Sequence, residues 1–132
     1  MTVIPEHKHI IIRAEVKNPP VKGEEIFLSD WFKNLIRDLG MKLLSGPHLA
    51  YVDVPGNKGL TGVAIIETSH TSCHIWEESS PALVEFDFYT CGNMNIGIVM
   101  EALKVFDPIK IEYLLLDREH TITLLDKGEY SV

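Results

Sequence analysis

The chain has 132 residues, 45% hydrophobic and 23% charged, with a formal net charge of -7. This is enough for one domain with its own core, and the acidic balance argues against nucleic acid as a partner, because phosphate binding calls for a basic face. The longest apolar runs, such as Ile10-Ile11-Ile12 and Leu114-Leu115-Leu116, fall far short of the roughly 20 residues that span a bilayer, so no membrane partner is expected.

The first six residues have neither a basic region nor an apolar one, which argues against a signal peptide and for a cytoplasmic protein with reduced thiols at Cys73 and Cys91. Residues 9–16 are rich in β-branched side chains and read as a first strand. Asn18-Pro19-Pro20 ends it. Ser29 is a candidate N-cap for a helix in which Trp31, Phe32, Leu35, Ile36 and Leu39 recur at helical spacing, stopped at Gly40. Residues 41–45 and 48–54 read as two strands separated by Gly46-Pro47, and Pro55-Gly56-Asn57-Lys58-Gly59 as a turn. Residues 60–67 form another strand, and 72–76 a short extended piece. In residues 82–90, Val84, Phe86 and Phe88 alternate with Glu85 and Asp87, so one apolar face covers a core. Residues 92–106 read as a second helix, closed by Asp107-Pro108. Residues 109–116 and 121–125 are closing strands, and 127–132 a frayed tail. Two helices and mainly hairpin-linked strands predict an α+β fold, a two-layer sandwich with helices on one face of an antiparallel sheet.

Chemistry concentrates in two polar clusters joined by one strand, Thr68-Ser69-His70-Thr71-Ser72-Cys73-His74-Ile75-Trp76 and Phe88-Tyr89-Thr90-Cys91-Gly92. Serine is a weak nucleophile unless a base or a strained backbone activates it. His70 and His74 are the nearby bases, and no Gly-x-Ser-x-Gly elbow surrounds Ser69. A serine in this setting can also simply bond its own backbone. His70, Cys73, His74 and Cys91 are zinc-ligand types, but no Cys-x-x-Cys or His-Glu-x-x-His spacing is present, so no metal is expected.

The run from Leu60 through Ser69-His70, His74-Ile75-Trp76 and Phe88-Tyr89-Thr90-Cys91-Gly92 resembles the small, self-processing prokaryotic S-adenosylmethionine decarboxylases, in which a Ser-His-x-x-x-His-x-Trp block precedes a strand ending in Phe-Thr-Cys-Gly. The resemblance implies a single domain cleaved between Thr68 and Ser69 into a β chain, 1–68, and an α chain, 69–132. Ser69 becomes a covalent pyruvoyl cofactor that forms a Schiff base with the substrate amine and acts as an electron sink. It implies His74 as the processing base, Thr61 in place of a processing serine, and Cys91 as the acid that reprotonates the product carbon. Glu78 would bind the ribose hydroxyls, with Trp76 and Glu67 as further substrate-binding candidates. The implied activity is decarboxylation of S-adenosylmethionine for spermidine synthesis, by a homodimer of processed protomers.

The chain departs from that pattern at several points. Thr68 stands where the family has glutamate, with Glu67 displaced by one. Trp76-Glu77-Glu78 replaces Trp-Pro-Glu. Pro55 and Ala14 align with the aromatic pair that sandwiches adenine, leaving Phe88, Tyr89 or Trp76 to substitute. These changes keep two alternatives open. One is a pyruvoyl-dependent decarboxylase of ornithine or arginine, its cationic substrate held by Glu77, Glu78, Glu85 and Asp87. The other is an unprocessed homologue that binds a ligand or regulates a partner.

Overall fold

Alternation along the strands sorts the side chains into a helix-covered face and an open one. The computed structural model describes residues 6–131; residues 1–5, five of the six on which a signal peptide is judged absent, and Val132 lie outside them. Seven strands form one antiparallel sheet in the order β2-β3-β4-β5-β1-β6-β7. They are β1 (Lys8–Val16), β2 (Leu43–Val52), β3 (Gly59–Ile66), β4 (Ser69–Trp76), β5 (Ala82–Thr90), β6 (Pro108–Asp117) and β7 (Thr123–Ser131). The first strand is inserted near the centre. Ile10 lies between Phe88 and Leu115, Ile12 between Phe86 and Tyr113, and Ala14 between Val84 and Ile111.

Two helices, α1 (Glu25–Asp38) and α2 (Ile96–Leu103), cover this face, which makes the predicted α+β sandwich. The aromatic stripe of α1 is core. Phe32 is fully buried, and the Trp31 ring meets Phe86 edge-on at 5.4 Å while its indole N–H donates to the Ala102 carbonyl at 2.8 Å. Each such side chain contributes about 1.5–3 kcal/mol by leaving water. Gly62 allows the close approach: a Cβ there would lie 2.6 Å from the Phe32 ring.

Several boundaries differ from the sequence reading. Helix α1 starts at Glu25 rather than after Ser29, because Glu24 accepts the Val21 N–H at 2.9 Å and Glu25 the Gly23 N–H at 3.0 Å, closing the preceding turn without a serine cap. Strand β2 runs unbroken through Gly46-Pro47. Two register shifts against β3 absorb the proline, which an edge strand tolerates. Strand β4 begins at Ser69, three residues early. Helix α2 begins after Asn95, whose side chain accepts the Ile98 N–H at 3.2 Å, and ends in a 3₁₀ turn over Lys104–Phe106. The expected frayed tail is mostly strand β7, and it follows β6 as far as Lys110 opposite Ser131. Among the described residues no helix is long and apolar enough to cross a membrane.

The open face carries every second residue of the same strands: His70, Ser72, His74 and Trp76 from β4, Glu85, Asp87 and Tyr89 from β5, His9, Ile11 and Arg13 from β1.

Candidate active site

Strands β3 and β4 form a tight hairpin with Glu67 and Thr68 at its turn and Ile66 opposite Ser69. The next pairing, His70 opposite Tyr89, carries the turn alongside the end of β5. The two polar clusters therefore meet in space, as their joining strand predicted. The Thr68 hydroxyl donates to the Glu67 carbonyl at 2.7 Å and lies against the Cys91 sulfur. Ser69 is nearly buried, and its hydroxyl reaches the same carbonyl at 3.4 Å, a long and weak contact. Cys91 is partly exposed, with its sulfur 3.8 Å from the Glu67 carbonyl oxygen. The Thr90 hydroxyl accepts the Gly92 N–H at 2.9 Å and so fixes the chain as it leaves β5. A cavity of about 500 Å³ opens beside this group, lined by Met41, Lys42, Glu67, Thr68, Cys91 and Asn93.

The other expected residues gather at the opposite end of the hairpin. Thr61 pairs with His74, its hydroxyl 3.3 Å from Nδ1. The Trp76 ring lies 6.3 Å from that imidazole, and its indole N–H donates to the Asn57 side chain at 3.2 Å. The Glu78 carboxylate accepts the Gly56 N–H at 2.8 Å, so it is tied to the β2–β3 turn. Ser69 and His74 are five residues apart on one strand. They point to opposite faces, about 16 Å apart along it at ~3.3 Å per residue. Within one chain the serine and its expected base do not meet.

Between the two ends lies a polar network on the open face. Asp87 accepts from His9 Nε2 at 2.7 Å and from the Ser72 hydroxyl, and Arg118 Nη1 donates to His9 Nδ1 at 3.2 Å. Burial alone would raise the Asp87 carboxyl; the hydrogen bonds from His9 and Ser72, with the electrostatic influence of His9 and His70, outweigh it and hold the group below the ordinary carboxylate range. Arg118 also stacks over Tyr89, 4.4 Å from the ring centre. Sequence reasoning missed Arg118 altogether, since its pairing spans 109 residues and leaves no local pattern.

Two alternatives for substrate contacts narrow here. Phe88 is fully buried under the helices, which leaves Tyr89 and Trp76 as the aromatic rings of the open face. Of the acids proposed to hold a cation, Glu77 is bonded to Tyr51, whose hydroxyl that bond and partial desolvation push up to about 12; Glu78 is bonded to Gly56, and Asp87 to His9 and Ser72. Among the described residues only Glu85 of the four carries no such partner. The thiols also separate: burial pushes Cys73 up to about 12, whereas Cys91 borders the cavity.

A protein-family model described as S-adenosylmethionine decarboxylase matches residues 8–119. The S-adenosylmethionine decarboxylase proenzyme of Pyrobaculum arsenaticum is 34% identical over 103 residues, covering 74% of this chain and 76% of that protein. The Prochlorococcus marinus protein of the same name is 32% identical over 89 residues, 67% of this chain and 68% of that one. Among solved structures, a Trypanosoma brucei AdoMetDC monomer superposes with a TM-score of 0.51 at 14% identity. It covers 85% of this chain, which spans 46% of that longer one, and the likeness speaks to fold alone.

Proposed function

The chain belongs to the S-adenosylmethionine decarboxylase family, and from that premise we propose that it is a proenzyme that cleaves itself at Thr68–Ser69 and then decarboxylates S-adenosylmethionine. The observation that carries this reading is the hairpin turn, which sets the Thr68 side chain, next to the expected scissile bond, against the Cys91 sulfur. The residues fit a pyruvoyl group derived from Ser69: the serine begins a strand, is shielded from water, and has the cavity of Cys91 and Thr68 beside it. Such a group supplies a carbonyl that accepts the substrate amine and withdraws electrons as carbon dioxide leaves.

The chain's own residues do the rest. The Cys91 thiol, which borders the cavity, returns a proton to the product carbon. The Thr68 side chain fixes the scissile carbonyl's neighbours, and burial of Ser69 keeps water from competing with its hydroxyl. Decarboxylated S-adenosylmethionine is the donor expected for polyamine synthesis. The protein acts in the cytoplasm, with no nucleic-acid or membrane partner.

The active species is a homodimer joined through the open sheet face. Two observations support this. His74 and Thr61 are aimed into that face, out of reach of their own Ser69. The face also exposes Ile11, Val63 and Ile65, apolar area that a second copy could cover. In the dimer, His74 serves the Ser69 of a second copy. Denaturing intact mass of fresh protein tests the reading: two fragments split after Thr68, the second with a pyruvoyl terminus, are expected. A single unmodified chain after long incubation would sink it and return the non-catalytic alternative.

A further inference from the structure

We propose that Thr68 is a strained positioning residue: its backbone is held in the left-handed region, and relief of that strain drives scission of the Thr68–Ser69 bond. The inference rests on the self-cleavage reading above.

Thr68 has φ +61°. For a β-branched side chain this is a true outlier, because Cβ and its two substituents crowd the carbonyl oxygen. Elsewhere the fold gives positive φ to residues that bear it easily. Gly23, Gly40, Gly46 and Gly56 lie between +74° and +93° and Gly59 at +159°, and the one other non-glycine among those described is Asp107, a type that tolerates the region. Among the described residues the β3–β4 turn is thus the one place where a β-branched residue adopts it, and it is the turn that contains the expected scissile bond.

A strained conformation persists only where its surroundings over-determine it. Here β3 and β4 are paired up to Ile66 and Ser69 on either side of the turn. The Glu67 N–H donates to the Lys42 carbonyl at 3.0 Å, which pins the turn to the residue before β2. The Thr68 hydroxyl is held between the Glu67 carbonyl and the Cys91 sulfur. None of these contacts needs the left-handed backbone to end at a peptide bond.

The chemistry releases the constraint. The Ser69 hydroxyl adds to the Thr68 carbonyl carbon, the C–N bond to Ser69 breaks, and the hydroxyl proton ends on the freed Ser69 nitrogen, giving an ester. Loss of the Ser69 Cα proton then breaks the Cβ–Oγ bond, and Thr68 leaves as a carboxylic acid. The enamine left behind tautomerises and takes up water, releasing ammonia and leaving the pyruvoyl carbonyl. Thr68 is then a free C-terminus and can leave the left-handed region. The strain is thus present in the intact chain and absent from the product.

Three variants test this by intact-mass time courses. Thr68→Gly and Thr68→Asn accept positive φ; Thr68→Val keeps the crowded β-branch and loses only the hydroxyl. The relieved variants should cleave about ten times more slowly than Thr68→Val, or ~1.4 kcal/mol in barrier. In a Ser69→Ala background, which stays whole, the same two relieved variants should melt roughly 3–6 °C higher than Thr68→Val. Equal cleavage rates across the series, or equal melting temperatures, would overturn the role of strain while leaving self-cleavage standing. A parent chain that never cleaves overturns both.

Discussion

The two ends of the β3–β4 hairpin do opposite things with similar residues. At the turn, Thr68, Ser69 and Cys91 are packed together within one chain, and the serine is withdrawn from water. At the far end, Thr61 and His74 form a comparable hydroxyl–base pair, but on the open face and exposed. The turn is locally complete except for a base. The far end holds a base that reaches the Thr61 hydroxyl but not its own Ser69. In the proposed homodimer, the far end of one hairpin would meet the turn of the other and complete both half-sites.

The largest expected effect comes from the turn. Ser69→Ala should abolish cleavage entirely, since it removes the hydroxyl proposed to attack the Thr68 carbonyl, and mass spectrometry should find one chain at all times. Any residual scission after Thr68 would mean that the turn is not where the chemistry starts.

The far end can be tested apart from it. His74→Ala should slow cleavage by about 10²–10⁴-fold, the usual contribution of a general base. Co-expression with Ser69→Ala sharpens the comparison. If the half-sites meet across a dimer, the His74→Ala chain should regain cleavage by using His74 of the Ser69→Ala chain. Cleavage that stays at the level of His74→Ala alone would confine each base to its own chain and break the two-copy account.

Cys91 separates the two roles of the turn itself. Cys91→Ala should still cleave, because the thiol touches Thr68 without being the nucleophile, yet turnover should fall about 10²-fold or more with the proton donor gone. Thiol labelling near pH 8 should modify one cysteine quickly in the parent and none in Cys91→Ala, because burial holds Cys73 protonated up to about 12. Rapid labelling of both would show that the helix-covered face opens more readily than its packing implies.

Much of this arrangement was legible in the sequence where it depends on local pattern. Val84, Phe86 and Phe88 alternate cleanly because one face of β5 is buried. The stripe from Trp31 to Ile36 marked α1 because those rings fill the space beneath the sheet. The meeting of the two polar clusters followed from a single strand joining them. What failed depended on distant partners. Strand β7 beyond Leu125, read as a frayed tail, is polar and nearly all exposed, so its hydrogen bonds to β6, and not its composition, continue the strand there. The start of α1 escaped because glutamate side chains close the turn that a serine was expected to cap. The separation of Ser69 from His74 was hidden for a simpler reason. Five residues read as near neighbours until Ser69 is known to be in the strand, and then parity sends them to opposite faces.

The smallest expected effect lies midway between the two ends, at Asp87, and it asks whether they are mechanically linked. The carboxylate is held below its ordinary range in the folded chain, so its stabilising contribution is full above about pH 4 and fades as pH falls through the lowered native value. Asp87→Asn should cost about 1–3 kcal/mol at pH 7, the worth of hydrogen bonds to a charged group. The gap between variant and parent should close in acid, where the parent carboxyl also becomes neutral. Urea melts across pH 2–7 would measure it. If Asp87→Asn also changes the rate of cleavage at pH 7, the network of His9, Ser72 and Asp87 carries information from the open face to the turn. If stability alone changes, that network is a brace, and the two ends of the hairpin communicate only through a second chain.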